Sequence, residues 1–345
     1  MAKKPKLSKN QQRQVSRNRN KRMRNQAEDS VSEHLGQQQA GRVVSRYGKH
    51  ALVEDQNHSL HKCHIRRTID SVVCGDHVLF RPGESVDPAN RGIIEVVLDR
   101  KSTLTRPDYY DGVKPIAANI DQIIVVSAIV PALSTHIIDR YLVACEQAQI
   151  SPIIVVNKVE LLDEKEQAEV DRSLQIYKDL GYQLIFVSCA KPQGLDALSK
   201  VLVDKVSVFV GQSGVGKSSI INLLLPDADE AVGEVSSNSG LGQHTTTASK
   251  LMHFEQGGEL IDSPGVREFG LWHLDAHDIT QGFIEFRPYL GGCKFSDCKH
   301  REDPGCLITQ AVEEGEIKKE RYQSYLKIID SLDTQRPAHA KGLIP

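Results

Sequence analysis

Gly211, four intervening residues, Gly216, Lys217 and Ser218 reproduce the spacing G-x-x-x-x-G-K-[ST], and the chemistry of that spacing is phosphate binding. The backbone from Gly211 through Gln212, Ser213, Gly214 and Val215 to Gly216 must wrap so that successive N–H groups point inward at phosphate oxygens. Glycine tolerates the φ values and the close approach that such wrapping demands. Lys217 is then placed to reach the β- and γ-phosphates and Ser218 to hold Mg²⁺, while the helix running on through Ser219 offers its N-terminal dipole to the anion. The motif has to follow a strand and open a helix. Val206 to Val210 is a short apolar run of strand character, and Ile220, Ile221 and Leu224 recur at helical spacing.

Two further segments stand at the ends of apolar runs. Asn157-Lys158-Val159-Glu160 follows Pro152 to Val156, and Ser188-Cys189-Ala190-Lys191 follows Leu184 to Val187. They resemble the base-reading elements of GTPases, N-K-x-D and S-A-K. In the first, an acidic side chain accepts from the N1–H and exocyclic amine of guanine, donors that adenine does not offer in that arrangement, and a site built around such bonds rejects the wrong base because its own polar groups are left unpaired. Glu160 stands where the pattern usually has Asp, which keeps the carboxylate one methylene further out. Asn157 is expected to brace the loop and Lys158 to lie along the base.

Downstream, Gly242-Gln-His-Thr-Thr-Thr247 lies in a Gly- and Ser-rich stretch too polar for a core, and is assigned as a switch segment. A threonine there, taken as Thr246, completes Mg²⁺ coordination only when the γ-phosphate is present, which couples nucleotide state to loop order. Asp262-Ser-Pro-Gly265 is a D-x-x-G pattern: Asp262 binds Mg²⁺ through water and the Gly265 N–H senses the γ-phosphate. In an ordinary GTPase the P-loop comes first and the base-reading elements last. Here both base-reading segments precede the P-loop, so the order is that of a circularly permuted GTPase, a rearrangement that is tolerable when the original termini lie close together. Beyond the switches, Cys293, Cys298, His300 and Cys306 offer three thiolates and an imidazole, a complete tetrahedral set for one structural Zn²⁺.

These motifs need elements to hold them. Alternating apolar strands and amphipathic helices at 123–126, 137–147, 152–156, 165–180, 184–187 and 195–203 lead into the P-loop strand, a rhythm that implies a mostly parallel sheet with helices on both faces and ligands at the strands' C-terminal ends. Before it, Arg42–Tyr47, Ala51–Val53, Val72–Cys74, Val78–Phe80 and Ile93–Val97 read as short strands of a small β-barrel, a common nucleic-acid platform on which Arg46, Tyr47, Lys62, Arg66 and Arg67 are candidates for phosphate contact and stacking. Residues 106–114 read as a polar loop. His58, His61, Cys63 and His64 do not read as a metal site, since strand alternation sends Cys63 and His64 to opposite faces. A helix over 313–332 is expected to pack Tyr322, Tyr325, Leu326 and Ile329 against the core.

The bulk composition bounds the rest. A chain of 345 residues with 39% hydrophobic content is long enough for more than one domain. It has no apolar run of membrane-spanning length and no secretory signal, which points to the cytoplasm, where seven cysteines do not imply disulfides. Ten of the 43 Lys and Arg fall in residues 1–25, which hold no Asp or Glu, leaving 33 basic against 45 acidic residues for the remainder. Such a tail cannot offset the entropy of ordering and suits an RNA-contacting arm, through Arg13, Arg17, Arg19, Arg22 and Arg24. The boundaries that follow are a basic tail over 1–40, an OB-type barrel over 41–110, a circularly permuted P-loop GTPase α/β domain over 111–275, a zinc-binding helical domain over 276–335 and a tail over 336–345.

With the permuted order, Gly242 to Thr247, Asp262-Ser-Pro-Gly-Val-Arg-Glu-Phe269 and the Cys-Cys-His-Cys loop together, residues 35–335 closely resemble the ribosome small subunit-dependent GTPase A family, RsgA or YjeQ. The resemblance implies an OB barrel, a permuted GTPase domain and a zinc-binding helical domain, acting as a monomer with GTP/GDP and Mg²⁺ in late maturation of the small ribosomal subunit, with contact to its rRNA and no membrane. Val266 stands where many GTPases place a water-orienting Gln, so His244 is the candidate for that group beside Lys217 and Thr246. Two other classes share parts of the pattern: a P-loop ATPase or kinase, separated by nucleotide preference, and an RNA-binding zinc protein with little catalysis, separated by ribosome association that ignores nucleotide state.

Overall fold

A computed structural model of the chain describes residues 35–83, 91–108, 112–191, 193–226, 249–263 and 274–335. They fall into two compact units, residues 35–72 with 77–98, and residues 73–76 with 99–335. Most of the basic tail and all of residues 336–345 lie outside the described residues.

In the first unit five strands follow one another: β1 (Gln39–Tyr47), β2 (His50–Asp55), β3 (Leu60–Ile65), β4 (His77–Arg81) and β5 (Gly92–Val97). β1, β2 and β3 form an antiparallel meander, β3 pairs parallel with β5, and β4 pairs with both β5 and β1. The sheet thus closes into a barrel and leaves no edge between its first and last strands. Alternation supplies the filling: Val43, Val53, Cys63, Val78, Phe80 and Ile94 point inward and are fully buried. The His58 to His64 run is dispersed accordingly, with Cys63 in this core, His61 Nε2 2.8 Å from Asp55 and His64 edge-on to His50.

The second unit differs from the sequence expectation at its start. Val72–Cys74 is not a strand; Cys74 makes only an isolated bridge to Ala117, and the turn is tied by the buried Asp76 carboxylate, which accepts from the Val73 N–H (2.7 Å) and from Arg100 (2.7 and 2.9 Å). Residues 103–118, expected to be loop over 106–114, form a hairpin of β6 (Thr103–Asp108) and β7 (Gly112–Ala118). Pro107 and Pro115 disguise it in the sequence, yet a two-stranded ribbon consists only of edges and tolerates them.

The main sheet comprises β8 (Gln122–Ala128), β9 (Ser151–Asn157), β10 (Gln183–Phe186), β11 (Val206–Val210), β12 (Lys250–His253) and β13 (Glu259–Asp262). Their order is β10-β9-β8-β11-β13-β12, parallel throughout except for β12. Alternation again sorts the faces. Ile153 and Val155 join Ile124, Val126 and Phe209 under α3 (Leu195–Leu202) and the P-loop helix α4 (Lys217–Leu224), whereas Ile154 and Val156 meet Ile138, Leu142, Leu174 and Tyr177 from α1 (Thr135–Ala148) and α2 (Glu164–Asp179). α2 starts at a capping box in which Asp163 accepts from the Glu166 N–H and Glu166 returns the bond, satisfying two of the unpaired donors of the first turn.

The C-terminal segment builds on α1 through α5 (Ala276–Gly282), a 3₁₀ turn over Ile284–Tyr289, α6 (Leu307–Glu313) and α7 (Lys319–Gln335). The helix expected over 313–332 begins only at Lys319: α6 ends at Glu313, and Gly315, in the left-handed region at φ +80°, lies in the turn that separates it from α7. Its buried stripe is also rotated from the expected one: Arg321, Ser324, Tyr325, Ile328 and Leu332 face inward, while Tyr322, Leu326 and Ile329 are half-buried. Phe283, Phe286 and Tyr325 pack with centroids 5.0–5.6 Å apart, each such pair contributing about 0.5–1.5 kcal/mol beyond area burial. No helix among the described residues is long and apolar enough to cross a membrane.

Candidate functional site

The P-loop leaves β11, whose five residues are all buried, at its C-terminal end. Gly211 sits at φ +142° with Val126 O 2.1 Å from where a Cβ would stand, and Gly216 at φ +93° with Asn157 Nδ2 2.2 Å away, so a side chain at either position would collide with the neighbouring strand ends. Gln212, Ser213, Gly214, Ser218 and Ser219 are exposed around the mouth of the loop, with Val215 buried as its anchor. Lys217 opens α4 and curls back over the loop, its Nζ donating to Gly211 O (2.7 Å) and Gln212 O (2.5 Å). Gly216 caps α4 with no side chain, which leaves the first-turn N–H groups facing the loop.

The two base-reading segments arrive beside it because β9 and β10 end at the same edge of the parallel sheet. Asn157 is only 1% exposed and its Nδ2 donates to Val215 O at 2.9 Å. Lys158, in the left-handed region, sends its ammonium to Val130 O (2.6 Å) and Gly214 O (2.8 Å), so among these protein atoms it is a clamp on the P-loop. Glu160 lies in the 3₁₀ turn Val159–Leu161, and its Oε2 is buried with no hydrogen-bond partner. Ser188 is fully buried, its Oγ accepting from the Lys191 N–H at 3.0 Å, and Cys189 brings its Sγ within 3.7 Å of Asn157 Oδ1 while Ala190 is exposed. Asp262 closes β13, which pairs parallel with β11, and so stands at the same end. Residues 157–160, 188–190, 211–219 and 262 are therefore brought together; His244, Thr246 and Gly265 lie outside the described residues.

The four C-terminal ligands also converge. His300 Nδ1 is 3.6 Å from Cys293 Sγ and 3.5 Å from both Cys298 and Cys306 Sγ, and Cys293 to Cys306 is 4.0 Å. Tetrahedral Zn²⁺ with bonds of about 2.3 Å to sulfur and about 2.0–2.1 Å to nitrogen sets its ligands roughly 3.5–3.8 Å apart, so the donor set fits that ion. Tyr322 of α7 steadies the loop by reaching the carbonyls of His300 (2.9 Å) and Arg301 (3.0 Å).

A sequence profile of the RsgA GTPase family matches residues 97–272. A small ribosomal subunit biogenesis GTPase RsgA of Proteus mirabilis is 56% identical over 337 residues, 95% of this chain and 96% of that protein. The chain belongs to the RsgA GTPase family. The protein of the same name from Photorhabdus laumondii is 54% identical over 97% of both chains. Among solved structures, YjeQ from Thermotoga maritima superposes with a TM-score of 0.70 at 32% identity, covering 87% of this chain and 100% of that one. YloQ, described as a circularly permuted GTPase, gives 0.66 at 26% identity over 87% and 97%.

The architecture is thus that of an RsgA GTPase, with its N-terminal barrel, circularly permuted GTPase domain and C-terminal cluster that could hold zinc. The family's chemistry is GTP hydrolysis, with GTP and GDP as ligands and Mg²⁺ as the accompanying ion. The residues fit that ligand at one point: the buried Glu160 oxygen has no hydrogen-bond partner among the described residues, and a carboxylate acceptor is what the N1–H and amine donors of guanine would meet.

Sequence reasoning missed one group of this RsgA GTPase entirely. Arg321 of α7 is 2% exposed and binds Asp139 of α1 and Glu285 of the 3₁₀ turn, the latter through Nε at 2.6 Å and Nη2 at 3.2 Å, with the Phe283 ring 4.5 Å from its guanidinium. Tyr177 of α2 donates to the same Asp139 carboxylate at 2.6 Å. Burial works against the guanidinium's charge, but Asp139 and Glu285 more than offset it and raise its pKa. The only local signal was a charged residue on the apolar stripe of Tyr325 and Ile328.

Proposed function

We propose that the chain docks on the small ribosomal subunit in its GTP-bound form, contacts rRNA there, and leaves after hydrolysis, late in the subunit's maturation. The observation that supports this reading is similarity across 95% of the chain to proteins named for small ribosomal subunit biogenesis. In this reading Glu160 accepts from the guanine edge, Asn157 and Lys158 hold the base loop to the P-loop, and the Ser188-Cys189-Ala190 backbone borders the base. The amides from Gly211 to Ser219 and the Lys217 ammonium hold the phosphates, stabilising charge that develops during phosphoryl transfer. Ser218, Thr246 and Asp262 would hold Mg²⁺, with Asp262 acting through water, and the Gly265 N–H would sense the γ-phosphate; the ion would supply positive charge to the phosphates. His244 would orient the attacking water. Cys293, Cys298, His300 and Cys306 would hold one structural Zn²⁺ that shapes a subunit-binding face. Tyr47, 41% exposed on the barrel, and Lys62 are suited to stacking and phosphate contact.

GTP hydrolysis measured with and without purified small subunits tests the whole reading. Stimulation by subunits, abolished in Lys217→Ala and reduced by orders of magnitude in His244→Ala, is the expected result. Turnover that ignores subunits overturns it, and full stimulation of His244→Ala removes that residue's role.

A further inference from the structure

The strand register of the barrel lines up one row of side chains that the nucleotide site does not use. Tyr47 of β1 pairs with His50 of β2, His50 with His64 of β3, His64 with Ile93 of β5, and Ile93 with Arg81 of β4. Ala51, Cys63, Ile94 and Phe80, their neighbours along the strands, fill the barrel core, so alternation turns the row outward. The two imidazoles meet edge-on with centroids 4.4 Å apart, and Arg91, just ahead of β5, brings Nη1 to 2.9 Å from His50 Nε2. A guanidinium only donates, so His50 accepts there and its ring is neutral. Among the described residues no carboxylate pairs with Arg91. The carboxylates on the adjoining strands are engaged elsewhere: Glu95 by Arg66 (3.0 Å) and Arg81 (3.3 Å), Glu54 by His58 (3.2 Å) and Asp55 by His61 (2.8 Å).

We propose that His50, His64 and Arg91 form a proton-coupled site for one backbone phosphate of RNA, with Tyr47 beside it as the ring on which a base stacks. A cluster whose fixed charges are all positive fits an anion. An aromatic ring set next to such groups, on a row that crosses the barrel, is the arrangement that single-stranded nucleic acid takes, phosphate on the cations and base on the ring. Coupling to protons follows from the surroundings of the pair. Burial lowers both imidazole pKa values first; His64, Arg91 and Lys49 then lower that of His50, and Arg91 that of His64. A phosphate among these groups reverses the sign of the local field and returns the histidines toward their ordinary value of about 6.5 or above it. Binding therefore takes up protons. Affinity rises as pH falls through that ordinary value and levels off once the free chain is itself protonated. The inference rests on the reading that the barrel contacts RNA.

The test is fluorescence anisotropy of a labelled single-stranded RNA oligonucleotide with the full-length chain, GDP and Mg²⁺, taken from about pH 8 to about pH 5.5 at constant ionic strength. The parent is expected to bind about 3- to 10-fold more tightly at the acid end, the yield of roughly half to one proton taken up over one pH unit. His50→Gln combined with His64→Gln should flatten that gain. Arg91→Gln should weaken binding at every pH and reduce the slope of log affinity against log salt by about 0.7, the share of one phosphate contact on a single strand. A merely structural role for the histidines would lower affinity equally at every pH and leave the pH dependence intact, and that result overturns the inference, as does a parent whose affinity ignores pH. Displacement of the RNA by millimolar inorganic phosphate would overturn it in favour of a free anion. RNA binding that Tyr47→Ala, Lys62→Ala and Arg91→Gln all leave unchanged would instead overturn the underlying reading, because the contact would then lie off the barrel.

Discussion

Replacing Arg321 with methionine isolates the buried ion group that joins α7 to α1. The guanidinium is 2% exposed, and its partners Asp139 and Glu285 have side chains only 1% and 9% exposed. Methionine restores much of the apolar volume but leaves Glu285 facing a void of charge and Asp139 with the Tyr177 hydroxyl as its remaining side-chain donor (2.6 Å). Breaking a buried pair by removing one partner costs about 3–5 kcal/mol, because the surviving charge has lost both water and counter-ion. Spread over a unit of this size, at about 2–4 °C per kcal/mol, the midpoint of thermal unfolding should fall by roughly 6–20 °C. Urea denaturation followed by far-UV circular dichroism gives the free energy directly. A second variant removes the ambiguity of lost packing: Arg321→Met combined with Asp139→Leu and Glu285→Met takes away all three charges and should recover most of the loss. A single variant within about 1 kcal/mol of the parent would refute the argument, because a surface pair is worth that little. Failure of the triple variant to recover would show that shape, and not charge, holds α7 in place.

Further outcomes follow from other parts of the molecule. Glu160→Gln turns one acceptor into a donor against the guanine amine and should weaken GDP binding about 10- to 100-fold with little change in thermal midpoint; equal binding would remove Glu160 from base reading. Cys298→Ser should release zinc at much lower chelator concentration than the parent, read by elemental analysis after dialysis, since three ligands no longer close the site. His136 of α1, whose Nδ1 lies 3.2 Å from Ser324 Oγ of α7, has its pKa lowered chiefly by burial and then by Arg140. A histidine depressed on folding takes up its proton more readily when unfolded, so stability should fall as pH drops from about 6.5 toward the depressed value and level off below it. His136→Gln should shallow that slope between pH 7.5 and 5.5; an unchanged slope would assign it to other groups.

What the sequence by itself determined here is local chemistry. The P-loop, Asn157 to Glu160, Ser188 to Lys191, Asp262 and the cysteine–histidine loop each place their groups within a turn or two of backbone, and the strands before the P-loop and before Asn157 are announced by apolar runs rich in Val and Ile. Even the order of the motifs, and with it the permuted GTPase fold, is a property of the linear chain. Tertiary structure alone decided which neighbours those groups have. The rotation of α7 that buries Arg321 depends on Asp139, 182 residues earlier, and a lone charge on an apolar stripe does not name its partner. The hairpin of β6 and β7 was hidden by prolines that only a strand paired on one side can carry. The approach of Cys189 to Asn157, and the bond from Asn157 to Val215, exist because β9, β10 and β11 end at one edge of a sheet, and no spacing along the chain records contacts between three separate loops.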